Sequence, residues 1–545
     1  MTYSIRNYLV KVLALTFVVL FLFACQQKAD LIIHNATIYT LEDNQPKANS
    51  IVIEDGVIKD IGNDLLDKYS ATSVVDAKSL PIYPGFIDSH SHFLSLGLQL
   101  NQLDLRGTQS VEEIQALTLE YKEANNSKYI VGFGWDQNDW ENNAMPHKKI
   151  LEENFSDIPV FLYRIDGHAL WVNQKVLDLA AIDSNSIIEG GMIEVDEKGP
   201  TGILVDNAMD LVAPYVPVPT LKEKIEALTR AQEICFSFGL TTVTDAGLTK
   251  EDVFLIDSLQ KNNLLEIRVY GMLKNEASTI DYFLEKGPLK TDRLNVRSIK
   301  LYADGALGSR GAALRSPYLD KKGHKGFFLT PIDSLEKFAY KIATTPFQLN
   351  THAIGDAANN AVLNAYKKAL VFKDDPRWRI EHAQVLDTND ISLFNRKIIP
   401  SVQPTHAVSD APWAKERLGE ERMHGAYAYK ALLESAGRIA LGTDFPVEEV
   451  NPINTFYAAT YPPKSEEEIR SPKALEPREA LYGMTKWAAE ANFEEAEKGT
   501  LKIGKKADLV ILDRDIIQAS ERRIPKTKVV ATFLNGQIVF SRRYK

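Results

Sequence analysis

Two histidines, His90 and His92, stand one residue apart after the apolar run of the segment PGFIDSHSH. Positions i and i+2 of a strand face the same side, so both imidazoles could reach one ion. Later apolar segments bring further residues that could bind a metal, at Lys300, His352, His382 and Asp444. Neutral imidazoles and a carboxylate suit a divalent cation such as zinc. A single histidine at a strand end can equally be a hydrogen-bonded structural residue, and only the whole set favours a metal site.

Eight short apolar segments, separated by helix-length stretches, carry these residues near their C-terminal ends. The segments are LPIYPGFIDSHSH, LTTVTDAG, IRVYGML, RSIKLYADG, FQLNTHAIGD, WRIEHAQ, IIPSVQP and RIALGTDFP. Eight strand–helix units predict an α/β fold with a closed parallel (β/α)8 TIM barrel. The catalytic residues of such barrels lie at the C-terminal ends of the strands, which is where the metal-binding types fall here.

The rest of the chain is predicted to form a composite β domain and an insert. Residues 26–80 and 495–545 are β-branched segments broken by turn residues, and they predict one small β domain built from both termini. The barrel is then expected over residues 81–96 and 220–494. The segment of residues 97–219 joins the first two barrel strands and is far longer than an ordinary connection between a strand and the next helix. It contains strand segments of its own, which predicts an inserted α+β subdomain.

Residues 1–24 are predicted to be a signal peptide, with Arg6 and Lys11 ahead of an apolar run that ends in LFAC. This ending resembles a bacterial lipobox, which implies lipidation at Cys25 and attachment to a membrane through that lipid. The expected location is therefore that of an exported, membrane-anchored lipoprotein, in the periplasm, at the outer membrane or at the cell surface. An uncleaved signal anchor is the alternative. Cys235 is then the one remaining thiol, and its helix-like surroundings predict a core position.

Composition restricts the class of partner. Hydrophobic residues make up 45% of the 545 residues, which fits a globular chain with a large core. The formal net charge is −10 and no block of basic residues occurs, so nucleic acid is not expected as a partner. A small-molecule substrate is expected instead, with a homo-oligomer left open.

Taken in order, PGFIDSHSH, SIKLYADG, THAIGD, RIEHAQ, LGTDFP and KGTLKIGKKADLVILD resemble the metal-dependent amidohydrolase superfamily. Within it they are most similar to the YtcJ-type branch that includes N-substituted formamide deformylase. The resemblance covers nearly all of the chain after the leader. It implies a distorted (β/α)8 TIM barrel beside a composite β-sandwich, with the insert over the active site and one or two divalent metals, usually Zn²⁺.

The resemblance also assigns roles to the candidate ligands. His90, His92 and Asp444 would hold the more buried metal, and His352 and His382 the second. Lys300 is similar to a lysine that CO₂ converts to a carbamate bridging both ions. The alternative for Lys300 is an ion pair with a carboxylate such as Asp304, in which case the site would hold one metal.

The reaction implied is hydrolysis of a C–N bond in an amide, an N-formyl or N-acyl compound or a cyclic amide. A metal-activated water would attack, and Asp444 would act as the catalytic base that carries the proton to the leaving nitrogen. Deaminases of this fold commonly have a glutamate three residues after the fifth-strand histidine, where this chain has Gly355. A deaminase, an esterase-type hydrolase and a non-catalytic ligand-binding lipoprotein remain the alternatives.

Substrate contacts are predicted from the insert and from the loops after the barrel strands. His168, in RIDGHALWVN, is the first of these, although it could equally be a capped loop histidine. The other candidates are Trp135, Asp304, Gly305, Ser309, Arg310 and Gln403. Several of them lie in the glycine-rich segment ADGALGSRGAAL, where backbone N–H groups or a guanidinium could hold a substrate oxygen.

Overall fold

The computed structural model describes residues 27–463 and 472–542, so the predicted signal peptide and Cys25 lie outside the described residues. The described part of the chain starts with seven strands: β1 Gln27–His34, β2 Thr37–Tyr39, β3 Lys47–Ala48, β4 Ser50–Glu54, β5 Val57–Gly62, β6 Tyr69–Asp76 and β7 Pro81–Pro84. Four of them form a sheet in the order β5-β4-β1-β6, in which β1 and β6 are parallel and the other pairs antiparallel.

The first barrel strand, β8 (Phe86–Ser91), and helix α1 (Phe93–Gln99) lead into the insert. Its elements are β9 Leu103–Asp104, α2 Val111–Asn125, β10 Ile130–Trp135, α3 Lys149–Phe155, β11 Val160–Arg164, β12 Ala169–Val172, α4 Gln174–Leu179, β13 Gly191–Asp196 and β14 Gly199–Asp206. They build a six-stranded sheet in the order β13-β14-β12-β11-β10-β9. Apolar side chains pack on both faces of this sheet, so the insert has cores of its own.

Seven further strands complete the barrel sheet, and the short strand β17 pairs with one of them outside the barrel order. They are β15 Leu240–Leu248, β16 Arg268–Lys274, β17 Leu289–Lys290, β18 Leu294–Tyr302, β19 Gln348–Ala353, β20 Trp378–His382, β21 Ile398–Val402 and β22 Ala440–Leu441. Apart from β17, which is antiparallel to β18, the strands pair in parallel from β8 to β22. The predicted α/β barrel is confirmed as a nearly closed sheet.

Helices surround the barrel, and several begin at capping residues. They are α5 Leu221–Ser237, α6 Lys250–Lys261, α7 Ala277–Lys286, α8 Ile332–Ala343, α9 Asp356–Ala369, α10 His406–Ser409, α11 Ala414–Met423, α12 Tyr429–Ala436, α13 Pro452–Thr460, α14 Pro477–Gly483 and α15 Lys486–Ala491. Thr220 and Thr249 form capping boxes at the starts of α5 and α6, which satisfies N–H groups that would otherwise lack partners. Within the part of the chain that the structure describes, no helix is long and apolar enough to cross a membrane.

Three C-terminal strands return to the first domain: β23 Leu509–Leu512, β24 Val529–Leu534 and β25 Gln537–Ser541. They form a second sheet with N-terminal strands, in the order β25-β24-β23-β7-β2-β3. Apolar side chains of both sheets share one core, as the composite β domain requires. Strand β7 lies in this sheet, whereas the sequence boundaries place residue 81 in the barrel.

Candidate metal centre and substrate cavity

Asp444 lies among histidines that come from opposite ends of the barrel sequence. Its Oδ1 is 3.6 Å from His90 Nε2 and 3.4 Å from His92 Nε2. Its Oδ2 is 4.0 Å from His382 Nδ1. Donor atoms of His90, His382 and Asp444 all lie within 4.8 Å of one another, and all three residues are buried. Three of the predicted ligands therefore form a compact candidate metal site.

Backbone geometry near the strand ends aims these side chains. His382 has φ 72° and Asp444 has φ 64°, values that residues other than glycine adopt only when their surroundings fix them. The Asp444 N–H donates to the carbonyl of His90 at 2.8 Å, which joins the first strand to the loop after the last one. Asp88 strengthens that junction, because its carboxylate accepts from the N–H groups of His90 and Thr443.

The donors of this cluster fit a divalent cation. His382 Nδ1 and Asp444 Oδ1 are buried without a hydrogen-bond partner among the described residues, which is costly unless something else satisfies them. Burial lowers the pKa of His90 to about 4 and holds that of His382 well below its usual value. The imidazoles are therefore neutral at physiological pH, which is the form that binds metals.

Lys300 faces this cluster from the fourth barrel strand of the predicted set. Its Nζ is 3.1 Å from His90 Nε2 and 4.9 Å from the centre of the Tyr302 ring. Burial lowers the pKa of Lys300 to about 8. Asp304, the alternative partner, uses its carboxylate to accept the N–H groups of Ala313, Ile354 and Gly355. Lys300 therefore lies beside the candidate metal cluster, and its role as a ligand stays a prediction, while the carboxylate of Asp304 ties loops together.

His352 stands beside the cluster. Its ring centre is 4.5 Å from that of His382, while its Nε2 is 3.4 Å from the carbonyl oxygen of Gly305. Burial holds the pKa of His352 well below its usual value. All six predicted ligand residues therefore meet at the C-terminal end of the barrel, but their donor atoms lie at different distances from Asp444.

A further histidine, which the sequence analysis missed, belongs to the same cluster. His406 Nε2 is 3.6 Å from Asp444 Oδ2, and it is buried without a hydrogen-bond partner among the described residues. Its ring lies nearly parallel to that of His382, with the centres 5.9 Å apart. His406 begins α10, four residues after β21 ends, so a search restricted to strand ends passes it over. The sequence signal that could have identified His406 was its position in the loop after the seventh barrel strand, where catalytic residues of such barrels also lie.

The cluster opens into a cavity of about 990 Å³ between the barrel and the insert. His168, from the insert, lines this cavity with its ring centre 5.0 Å from that of His352. Its Nδ1 lies 2.7 Å from Asp206 Oδ1. Burial lowers the pKa of His168, but the hydrogen bond and charge of Asp206 outweigh it, and the pKa is raised overall. His168 is therefore held rigidly, with its other ring nitrogen free of this bond.

The glycine-rich segment makes room for the partner of His168. A Cβ atom at Gly305 or Gly311 would collide with the carboxylate of Asp206. Asp206 itself has φ 54°, a conformation that costs energy for this residue type. The absence of a side chain at Gly305 thus allows the carboxylate of Asp206 to lie close to the backbone. Gly305 itself does not line the cavity.

The other predicted substrate contacts do not line the cavity. Trp135 is fully buried in the core of the insert, donates its Nε1–H to the carbonyl of Leu162 and packs against Trp140 and Trp171. Arg310 forms an ion pair with Asp320. Ser309 and Gln403 are buried and direct their side chains to the carbonyls of Ala306 and Ser401. These side chains make packing contacts and hydrogen bonds within the protein. Residue type alone does not distinguish such internal contacts from substrate binding.

Comparison with protein families matches residues 73–540 to the model of the amidohydrolase family. The chain belongs to that family. This amidohydrolase is 31% identical to protein LONG AFTER FAR-RED 3 of Arabidopsis thaliana, over 94% of this chain and 92% of that protein. It is also 31% identical to the putative amidohydrolase YtcJ of Bacillus subtilis (strain 168), over 93% and 99% of the two chains.

One relative and one solved structure bear on the chemistry. N-substituted formamide deformylase of Arthrobacter pascens is 23% identical, over 95% of this chain and 99% of that one. An uncharacterised metal-dependent hydrolase from Pyrococcus horikoshii OT3 has a similar structure, with a TM-score of 0.74 and 29% identity over 90% of this chain and 99% of that one. The predicted class, a metal-dependent hydrolase acting on carbon–nitrogen bonds, is confirmed at the level of the family.

Proposed function

We propose that this amidohydrolase hydrolyses the C–N bond of a small N-formyl, N-acyl or cyclic amide inside the cavity. The observation that carries the proposal is the buried cluster of His90, His382 and Asp444, in which His382 Nδ1 and Asp444 Oδ1 have no hydrogen-bond partner among the described residues. His382, Asp444 and Lys300 also line the cavity. The relative that is named a formamide deformylase supports the choice of an amide.

We propose that the cofactor is one or two Zn²⁺ ions. His90, His92 and Asp444 would hold one ion, with His382, His352 and a carbamate on Lys300 available for a second. When bound, the cation supplies the acidity that makes water nucleophilic near neutral pH and a positive charge for the carbonyl oxygen. The low pKa of Lys300 supports carbamate formation, because CO₂ reacts with the uncharged amine.

The chain's own residues supply the proton chemistry. Burial raises the pKa of Asp444, but the contact with His92, whose Nε2 lies 3.4 Å from Oδ1, and the other nearby imidazoles outweigh it and hold the pKa well below its usual range. Asp444 is therefore an ionised acceptor at neutral pH and can receive a proton from water and return it to the leaving nitrogen. His168, fixed by Asp206 on the opposite wall, can hydrogen-bond a polar group of the substrate.

The geometry disfavours the deaminase alternative. A Cβ at Gly355 would collide with the backbone of Ala313, so a glutamate could not occupy this position without moving the loop. The Gly355 N–H also donates to Asp304, which ties the position to the loop after β18. No side chain at residue 355 can protonate a heterocyclic ring here.

The test combines metal analysis with a substrate panel. Metal per chain would be measured by mass spectrometry, and the metal-loaded protein would be assayed with N-formyl, N-acyl and cyclic amides, esters and aminated nucleobases. We expect at least one ion per chain and hydrolysis of amides. Asp444→Asn should remove that activity, while Asp210→Asn, at another cavity aspartate, should retain it. Less than one ion per chain, or ligand binding without any hydrolysis, would contradict the proposal.

We also propose that the protein is exported and anchored through a lipid on Cys25. The support is the signal-like segment that ends in LFAC. Expressed with its leader, the protein should partition into detergent and lose residues 1–24. Cys25→Ser should prevent the loss of residues 1–24, and a parent protein that partitions into detergent but keeps those residues would favour an uncleaved signal anchor.

A further inference from the structure

A charged pair lies inside the barrel directly beneath the candidate metal centre. Arg379 and Glu381 stand two residues apart on β20, so both point into the barrel, and both are fully buried. Arg379 Nε is 2.7 Å from Glu381 Oε1, and Arg379 Nη2 donates to Glu381 Oε2 at 3.0 Å. Barrel interiors are ordinarily filled by branched apolar side chains, so this pair calls for an explanation.

Glu381 reaches the first metal-binding histidine. Its Oε2 is 2.5 Å from His90 Nδ1, and an ionised carboxylate can only accept, so Nδ1 carries the hydrogen. The other nitrogen of His90, Nε2, then has a free lone pair, and it faces Lys300 Nζ at 3.1 Å and Asp444 Oδ1 at 3.6 Å. The contact of Nδ1 with Glu381 and the contact of Nε2 with Lys300 therefore both favour the tautomer of His90 that carries its hydrogen on Nδ1.

Arg379 in turn fixes Glu381. Its guanidinium donates to Ser401 Oγ at 2.9 Å, to Asn492 Oδ1 at 3.1 Å and to the carbonyl of Ser89, the residue before His90. The carboxylate of Glu381 is thus held by a group that also contacts the neighbouring strands. His382, the next residue, turns toward the cavity because its backbone has φ 72°. Two consecutive residues of β20 therefore contribute to the same site: Glu381 contacts His90 inside the barrel, and His382 faces the cavity.

From this geometry we propose that the Arg379–Glu381 pair is a positioning device that holds His90 with Nε2 toward the metal and raises metal affinity. The inference rests on the proposed metal-dependent function. A role in folding alone explains the pair poorly, because a buried ion pair adds little stability compared with apolar residues of the same volume. Carboxylates that orient metal-binding histidines change metal affinity by about 10–100-fold when they are replaced.

The test measures Zn²⁺ affinity of the purified full-length protein by competition with a chromogenic chelator. We expect Glu381→Gln to weaken Zn²⁺ binding by about 10–100-fold. The matched control is Asp508→Asn, which removes the carboxylate of another buried arginine pair, Arg268–Asp508, at the junction with the β domain. The control should lower the melting temperature and leave Zn²⁺ affinity unchanged. Equal affinity in Glu381→Gln and the parent, or an equal loss in the control, would overturn the proposal.

A second variant and a second readout cover the case in which Glu381→Gln does not fold. Arg379→Met combined with Glu381→Leu removes both charges together, which buried cores often tolerate, and it should show the same loss of affinity. In metal-free parent protein with ¹⁵N-labelled histidine, His90, assigned through a His90→Asn variant, should show hydrogen on Nδ1 only. Hydrogen on Nε2 would refute the positioning role. A parent protein that binds no Zn²⁺ but has the Nδ1 tautomer would instead count against the proposed function.

Discussion

At the scale of single residues, burial and partners decide which polar groups do chemistry. His90 and His382 are neutral because burial lowers their pKa, and Asp444 is charged because its contacts with His92 and His406 outweigh the effect of burial on its pKa. Asp304 is equally buried, yet three backbone N–H groups occupy its carboxylate. The same residue type is therefore a candidate ligand at one strand end and a loop tie at another.

If the proposed site holds two metals, Lys300→Ala is expected to reduce the number from two to one, because it removes the anionic ligand that a carbamate on Lys300 would supply. Metal per chain would be measured after loading with Zn²⁺ and bicarbonate. Lys274→Ala, at a cavity-lining lysine that lies close to Glu276, should keep the parent value. A Lys300→Ala protein with two metals and full activity would exclude the bridge.

The pH dependence of metal loading follows from the pKa of Lys300, which burial lowers from 10.5 to about 8. Only the uncharged amine reacts with CO₂, so carbamate formation is suppressed below this pKa and released above it. At a fixed concentration of dissolved CO₂, the initial rate at which CO₂ and Zn²⁺ activate the metal-free protein should rise about tenfold per pH unit up to pH 8 and then level off. A rate independent of pH between 6 and 9 would count against a lysine with this pKa.

At the scale of elements, the insert contributes one wall of the cavity and a core of its own. Its β10 ends in Trp135, which stacks near Trp140 and supports the sheet, whereas Trp413 after the seventh barrel strand lines the cavity. Trp135 therefore stabilises the core of the insert, whereas Trp413 is placed where it can contact a substrate, although both residues are tryptophan.

Substitution of the two tryptophans should separate these uses. Trp135→Ala should destabilise the protein by about 3–5 kcal/mol, because it leaves a large cavity in a packed core. Trp413→Ala should instead raise KM with little change in thermal stability. Thermal unfolding and steady-state kinetics would check both, and a pure KM effect of Trp135→Ala would show that it contacts substrate after all.

The loop after β18 should be sensitive to a single methyl group. Gly305→Ala places a Cβ against the carboxylate of Asp206, so His168 should lose its fixed orientation. We expect kcat/KM to fall about tenfold or more, as for a misplaced catalytic contact, with metal content unchanged. Gly62→Ala is the control and should behave as the parent, because its Cβ would make only an ordinary contact, at 3.8 Å, with the side chain of Leu65.

At the scale of the whole molecule, barrel closure brings the candidate metal ligands together, so metal binding there would be coupled to folding. Removal of metal by a chelator should lower the melting temperature, because a ligand that binds only the folded state stabilises it. At a Zn²⁺ concentration 100 times its Kd the gain would be about 2.7 kcal/mol. Asp444→Asn should show a much smaller shift on Zn²⁺ addition, and an equal shift would place the bound metal elsewhere.

The sequence by itself determined the order of the strands, the barrel, the insert, the β domain from both termini and the residue types at the candidate metal centre. These follow from local patterns, because strand periodicity and chain order place the ends of parallel strands at one edge. Which donor atoms meet was decided only by the tertiary structure. His406, Glu381 and Arg379 enter the site through side-chain packing between strands distant in sequence, and Trp135 leaves it for the same reason. Distances between side chains depend on how the barrel closes and how the insert docks, and neither is encoded in a local pattern.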